Sequence, residues 1–120
     1  MTPRRTTKKR RSPCPVACTL DVLGDKWTLL VVRDLLLGKE TFKEFSDSPE
    51  GIATNVLTER LDRLIEHGLV EQFPSTERAG RWHYRLTKKG RTLRPLLESV
   101  RDWGLANLPG TQEKLRARSD

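Results

Sequence analysis

The sequence predicts a mainly α-helical domain carrying a single β-hairpin, on three observations. Apolar residues recur at helical spacing in separate blocks between residues 15 and 67. The period then switches to strand-like alternation on either side of a Gly-containing loop, and a helical stripe returns after Thr87. No internal repeat or parallel-sheet pattern competes with this order. A chain of 120 residues holds one ordinary domain with a modest core and has no room for a separate cofactor domain. With 35% hydrophobic residues, pairing with a second copy is a natural way to bury more surface.

The elements follow in chain order. Pro15 suits a first helical position, and Val16, Leu20 and Leu23 share one side of a short helix that Gly24 ends. Asp25 is placed to cap a second helix, whose stripe is Trp27, Leu30, Val31 and Leu35 and whose stop is Gly38. Thr41 and Glu44 form a capping box before a small third helix, residues 42–48, with Phe42 and Phe45 as its apolar face. A turn over residues 49–52 leads to the best helix, residues 53–67. Val56, Leu57, Arg60, Leu61, Leu64 and Ile65 define its inner face, and Gly68 its end.

Leu69 and Val70 open a strand running through Phe73, Pro74 to Gly80 form a loop, and Trp82 to Leu86 alternate as a second strand. That alternation points Trp82, Tyr84 and Leu86 inward and His83 and Arg85 outward. Thr87 caps one last long helix with apolar positions Leu93, Leu96, Leu97, Val100, Trp103 and Leu108; Pro95 falls near its start and Gly104 loosens its end. Helix, turn, helix and hairpin in this order make a winged helix-turn-helix. The domain is assigned to residues 13–108, between a disordered basic arm at 1–12 and a flexible polar tail at 109–120.

Charge sharpens the picture. The formal net charge is +7, with a pI near 9.9, but it is unevenly placed. Arg4, Arg5, Lys8, Lys9, Arg10 and Arg11 make the arm wholly basic, residues 12–72 are net acidic, and residues 73–95 are strongly basic. Basic extensions on an acidic scaffold suggest a nucleic-acid footprint, with the arm on phosphates; a charge that merely keeps the chain soluble is the plainer alternative. The start has no apolar stretch behind its charges and Arg33 and Asp34 interrupt the longest apolar run, so a cytoplasmic chain without a membrane partner is expected.

A recognition helix enters the major groove by its N-terminal half, which puts Thr54, Asn55 and Thr58 forward, with Arg63 at the edge of the outer face. Asn can pair bidentately with adenine, and Thr can bond a base edge or a phosphate. Glu59 could accept from a cytosine, although an ion pair with Arg63 four residues on is the simpler reading. Arg78, Arg81 and Arg85 on the hairpin, and Lys88 after it, are placed for minor-groove or phosphate contact. The helix-turn-helix and basic wing lead us to expect double-stranded DNA as the partner, and a near-palindromic operator if the chain binds as a homodimer. A nonspecific architectural DNA binder and a winged-helix protein-interaction module use the same residues differently.

Cys14 and Cys18 have three residues between them and no second cluster, so neither a C-x-x-C redox motif nor a zinc site is expected. Inert packing is one reading of the pair. The other is sensing, since Cys14 lies near a helix N-terminus and a basic arm. His67 and His83 join no nucleophile or metal constellation, so no catalytic residue, cofactor or small-molecule effector is assigned.

The stretch CPVACTLDVLGDKWT from Cys14 resembles the opening of the HxlR family of bacterial winged-helix transcriptional regulators. The likeness continues through RDLLLG from Arg33, FKEF from Phe42, GIATNVLTERLDRL from Gly51, GLV from Gly68 and YRLTKKG from Tyr84, covering about residues 13–105. The resemblance implies a non-enzymatic homodimer joined through its first and last helices, with Val16, Leu20, Leu97, Val100 and Trp103 at the interface. It implies DNA contacts at Thr54, Asn55, Thr58, Arg78 and Arg81. It also aligns Cys14 with a cysteine that some members use to sense oxidants or electrophiles, while Cys18 stands where another residue is common.

Overall fold

A computed structural model of the chain describes residues 10–112; Arg4, Arg5, Lys8 and Lys9 of the arm and the end of the tail lie outside them. The order is α1 (Pro15–Leu23), α2 (Thr28–Leu36), α3 (Phe42–Ser46), α4 (Thr54–Glu66), β1 (Val70–Pro74), β2 (Trp82–Leu86), α5 (Lys88–Arg91) and α6 (Arg94–Asn107). This is a mainly α-helical domain with an antiparallel hairpin following a helix-turn-helix, as the periodicity predicts. Among the described residues, no helix is long and apolar enough to cross a membrane.

Val31, Val32, Leu35, Phe45, Leu57, Leu61, Leu64, Leu69, Val70, Leu86 and Leu97 form the core, together with Leu23. Burying each such leucine is worth roughly 1.5–3 kcal/mol relative to leaving it in water. α4 presents Leu57, Leu61 and Leu64 to this core from one stripe, which leaves its other face to solvent. The Thr41 hydroxyl accepts from the Glu44 N–H at 3.2 Å while the Glu44 carboxylate accepts from the Thr41 N–H, so the expected capping box is formed.

Beneath α4, a polar cluster fixes the turn that precedes it. Asp34 is buried, at 3% exposure, and accepts from the Ser48 hydroxyl and from the Arg33 guanidinium. Arg33 also grips Glu50 through two bonds of 2.8 and 2.9 Å. That fork holds the Glu50 carboxyl below its ordinary range, against the opposing effect of burial. α2 thereby clamps both Ser48 and Glu50, setting the entry to α4.

Three expectations are corrected. The last helix is not continuous: α5 ends at Arg91 and α6 begins at Arg94. Pro95 has no N–H to donate to the Arg91 carbonyl, and in a continuous helix its ring would crowd that carbonyl, so it tolerates a helix start but not a helix interior. α5 is separately anchored: the Thr87 hydroxyl accepts from the Gly90 N–H and donates to the Gly68 carbonyl. Gly90 approaches so closely that a Cβ there would lie 2.0 Å from the Leu69 carbonyl oxygen, which fixes α5 against the start of the hairpin.

Trp82 is the second correction. It shares a face with Tyr84 and Leu86, but the hairpin outruns the core, so Leu86 is buried, Tyr84 half-buried and Trp82 47% exposed. Leu97 is the third: at 7% exposure it belongs to the chain's own core and is not available to a partner. Element ends also shift slightly, with α3 stopping at Ser46 and β1 running from Val70 to Pro74. α6 continues through Gly104 to Asn107 without a break.

Candidate nucleic-acid interface

α4 begins immediately after Ala53, and its first turn carries exposed Thr54 and Asn55, with Thr58 one turn on. Apolar residues at 57, 61 and 64 turn the helix so that these three side chains lie on the outside. The Thr58 hydroxyl donates to the Thr54 carbonyl at 3.0 Å, leaving its oxygen lone pairs for another donor. N–H groups of the first helical turn have no partner within the helix, so this end attracts an anion.

The wing is a closed hairpin. β1 and β2 pair from Val70↔Leu86 to Pro74↔Trp82, and the loop is tied by Ser75 N–H to the Arg81 carbonyl and Arg81 N–H to the Arg78 carbonyl. Arg78 and Arg81 are exposed there, and Gly80 between them takes φ +80°, which favours glycine. On its outer edge β2 meets the segment before α3: the Tyr84 N–H donates to the Glu40 carbonyl, and Thr41 bridges to His83. His83 is therefore half-buried beside Glu40, at 3.3 Å, and does not simply face outward.

Not every basic residue singled out on sequence grounds is directed outward. Arg63 donates to the Val22 carbonyl at 2.9 Å and to Asp25 at 3.0 Å, so it ties α4 to the α1–α2 corner. Its pairing with Glu59 is present at 3.7 Å, and Glu59 also meets Arg60. Arg85 stacks over the Phe73 ring at 4.2 Å and pairs with Glu71 at 3.3 Å. Lys88 is exposed at the start of α5, beside Lys89, whose ammonium caps the His67 carbonyl. Arg11 folds back on α1, reaching Asp21 and the Ala17 carbonyl, and Arg10 is exposed.

Sequence reasoning placed Asp25 as a cap but missed its second role. It accepts from the Trp27 and Thr28 N–H groups and from the Thr28 hydroxyl, and it also receives Arg60 and Arg63 from α4. Burial opposes ionisation, yet these bonds hold the carboxyl well below the usual range. The 35-residue separation of Asp25 and Arg60 left no local signal for that contact.

Elsewhere on the surface, Val16 and Leu20 of α1 are exposed at 65% and 55%, and Val100 and Trp103 of α6 at 50% and 63%. Leu96, Val100 and Trp103 follow the i, i+4, i+7 spacing of one helix face, and that face also adds Leu96 to the candidates. Cys14 is the N-cap of α1 and exposed, and Cys18, one turn on, donates its thiol to the Ser12 carbonyl at 3.2 Å. Among the described residues, no group of three or more His, Cys, Asp or Glu is placed to hold a metal ion.

The profile of the HxlR-like helix-turn-helix family matches residues 22–112 of this chain. The HTH-type transcriptional regulator YybR of Bacillus subtilis (strain 168) is 32% identical over 107 residues, spanning 89% of this chain and 86% of YybR. The crystal structure of PA1607, assigned as a transcription factor, superposes with a TM-score of 0.77 at 43% identity, covering 87% of this chain and 73% of PA1607. The redox regulator HypR in its oxidized form superposes with a TM-score of 0.72 at 35% identity, covering 78% of this chain and 97% of HypR.

Proposed function

The chain belongs to the HxlR-like helix-turn-helix family of DNA-binding transcriptional regulators, which are not enzymes, and from that premise we propose how it reads DNA. It acts as a homodimer on a near-palindromic duplex, inserting one α4 per half-site. Thr54, Asn55 and Thr58 meet base edges and nearby phosphates, and Arg78 and Arg81 bind the flanking backbone or minor groove. Lys88 and the arm, including Arg10, add salt-sensitive phosphate contacts. Arg63, engaged with Asp25 and Val22, acts by holding α4 in place and does not reach DNA.

The observation carrying this reading is the outward face of α4. Asn55 and Thr54 stand exposed at the end from which a helix enters the major groove, with two exposed arginines on the adjoining wing. Dimerisation rests on the exposed apolar residues of α1 and α6, namely Val16, Leu20, Leu96, Val100 and Trp103, which a monomer would leave in water. Chain boundaries follow the same division: residues 1–12 serve as the basic arm, 13–108 as the reading and pairing domain, and 109–120 as the tail.

The test is affinity for a duplex selected by the protein from a random pool, set against a scrambled duplex. Asn55→Ala is expected to weaken the selected duplex by about ten- to a hundredfold while leaving scrambled DNA nearly unchanged. Equal losses on both would overturn base reading by Asn55 and favour an architectural role.

Redox response belongs to the same proposal. Cys14 is an accessible thiol at the N-cap of α1, Cys18 is one turn away, and the chain is similar to HypR, a redox regulator. Oxidation of the Cys14 thiol to a sulfenic acid by hydrogen peroxide, which is reduced to water, or its alkylation by an electrophile, at the N-cap of α1, then shifts the geometry of the dimer and its DNA affinity. Binding is to be measured with reduced, oxidised and alkylated protein, alongside Cys14→Ser; unchanged affinity across the series would remove the sensing role.

A further inference from the structure

The wing carries an aromatic side chain, Trp82, that the fold buries only in part. Across the hairpin, Val70 pairs with Leu86, Gln72 with Tyr84 and Pro74 with Trp82, so these six side chains share one face. That face looks toward α3 and α4: the Tyr84 ring meets the Phe45 ring edge-on, with centroids 6.1 Å apart. Burial and the nearby Asp62 charge on α4 both push the Tyr84 phenol above its ordinary range, which agrees with that orientation. Two residues nearer the tip, about 7 Å farther along the strand, the packing partners end and Trp82 overhangs in solvent.

An indole left half in water contributes little to the hairpin, while Val, Thr or Tyr would serve an exposed strand position as well. Its neighbours give the overhang a sign. Arg81 adjoins it in sequence, Arg78 is tied to Arg81 through the loop, and Glu77 is the acid of that loop. A flat, half-exposed apolar ring with one N–H donor, on the hairpin face that looks toward α3 and α4 and next to a loop carrying two exposed arginines, matches the sugar–phosphate strand between major groove and wing. Deoxyribose offers the apolar surface and phosphate the acceptor.

We propose that Trp82 is a direct DNA-backbone contact, packing its indole on a deoxyribose and donating its Nε1–H to a phosphate oxygen. It sets how deeply the wing seats beside α4 and so positions the recognition helix. The contact rests on the DNA-reading role given above and adds a neutral member to the DNA contacts proposed for the wing, Arg78 and Arg81.

The experiment uses the full chain and a labelled duplex selected by the wild-type protein, with affinity followed by anisotropy across a salt series. Trp82→Ala is expected to weaken binding by about tenfold at every salt concentration. The slope of log affinity against log salt stays unchanged, because no charge is lost. Arg78→Ala, by contrast, flattens that slope by about one. Trp82→Phe, which keeps a ring and loses the donor, recovers part of the loss. The melting temperature and the solution mass of Trp82→Ala match wild type. Wild-type affinity in Trp82→Ala overturns the contact, and so does a loss that tracks a lowered melting temperature or a changed solution mass. Failure of the wild-type protein to bind any duplex would overturn the DNA-reading role itself.

Discussion

Asp25 gathers bonds from two helices that meet at one corner: it satisfies N–H groups at the start of α2 and receives the guanidinium groups of Arg60 and Arg63 from α4. Arg63 adds the Val22 carbonyl at the end of α1, so the orientation of the reading helix is set partly by this carboxylate. Asp25→Asn removes the charge while keeping the shape and is expected to cost about 1–3 kcal/mol at neutral pH. Because the folded carboxyl is held below its unfolded value, the advantage of wild type is full above the unfolded range. It shrinks as the pH falls below about 4 and the unfolded chain takes up the proton first. Denaturant titrations of both proteins at several pH values check this; a gap that persists undiminished at low pH would contradict it. Half of Asp25's role was legible in the sequence, since a cap is a local pattern. The pairing with residues 60 and 63 depends on how helices cross, which no local pattern encodes. Leu97 and Trp82 failed for a related reason: periodicity identifies a face, but only the extent of the core decides where along that face burial stops.

Secondary elements were the most legible level, because their ends are written in local chemistry. The Thr41–Glu44 box, the glycine after α4 and Pro15 at the start of α1 each fall where their hydrogen-bonding and backbone constraints put them. The split between α5 and α6 was legible in principle from Pro95, whose missing N–H favours a new helix start over a long helix's interior. What hid it was the apolar stripe, which runs on through Leu93, Leu96 and Leu97 as if the backbone were continuous. The break has a consequence for α6. Freed from α5, this helix turns Leu97 to the core and presents Leu96, Val100 and Trp103 outward on a stripe suited to a second copy. Clamping of the turn before α4 by buried Asp34 and by Arg33 was invisible in sequence, because neither residue matches an apolar or capping pattern.

At the scale of the whole molecule, charge and apolar surface are sorted to different ends of the task. Net negative charge lies in residues 12–72, which build most of the scaffold, while the hairpin loop and the residues after it are basic. Apart from Trp82 on the wing, the large exposed apolar residues collect on α1 and on α6 with its C-cap Leu108, away in sequence from the wing arginines. The proposed function follows from this sorting: a second copy joins through one set of helices, and two reading helices and two wings turn to the duplex. Footprinting on a selected duplex, combined with the mass of the complex in solution, tests this most directly. The account predicts two chains per duplex and two protected half-sites whose centres lie about one helical turn, or a multiple of it, apart. A single protected patch bound by one chain, or protection without sequence preference, would contradict it.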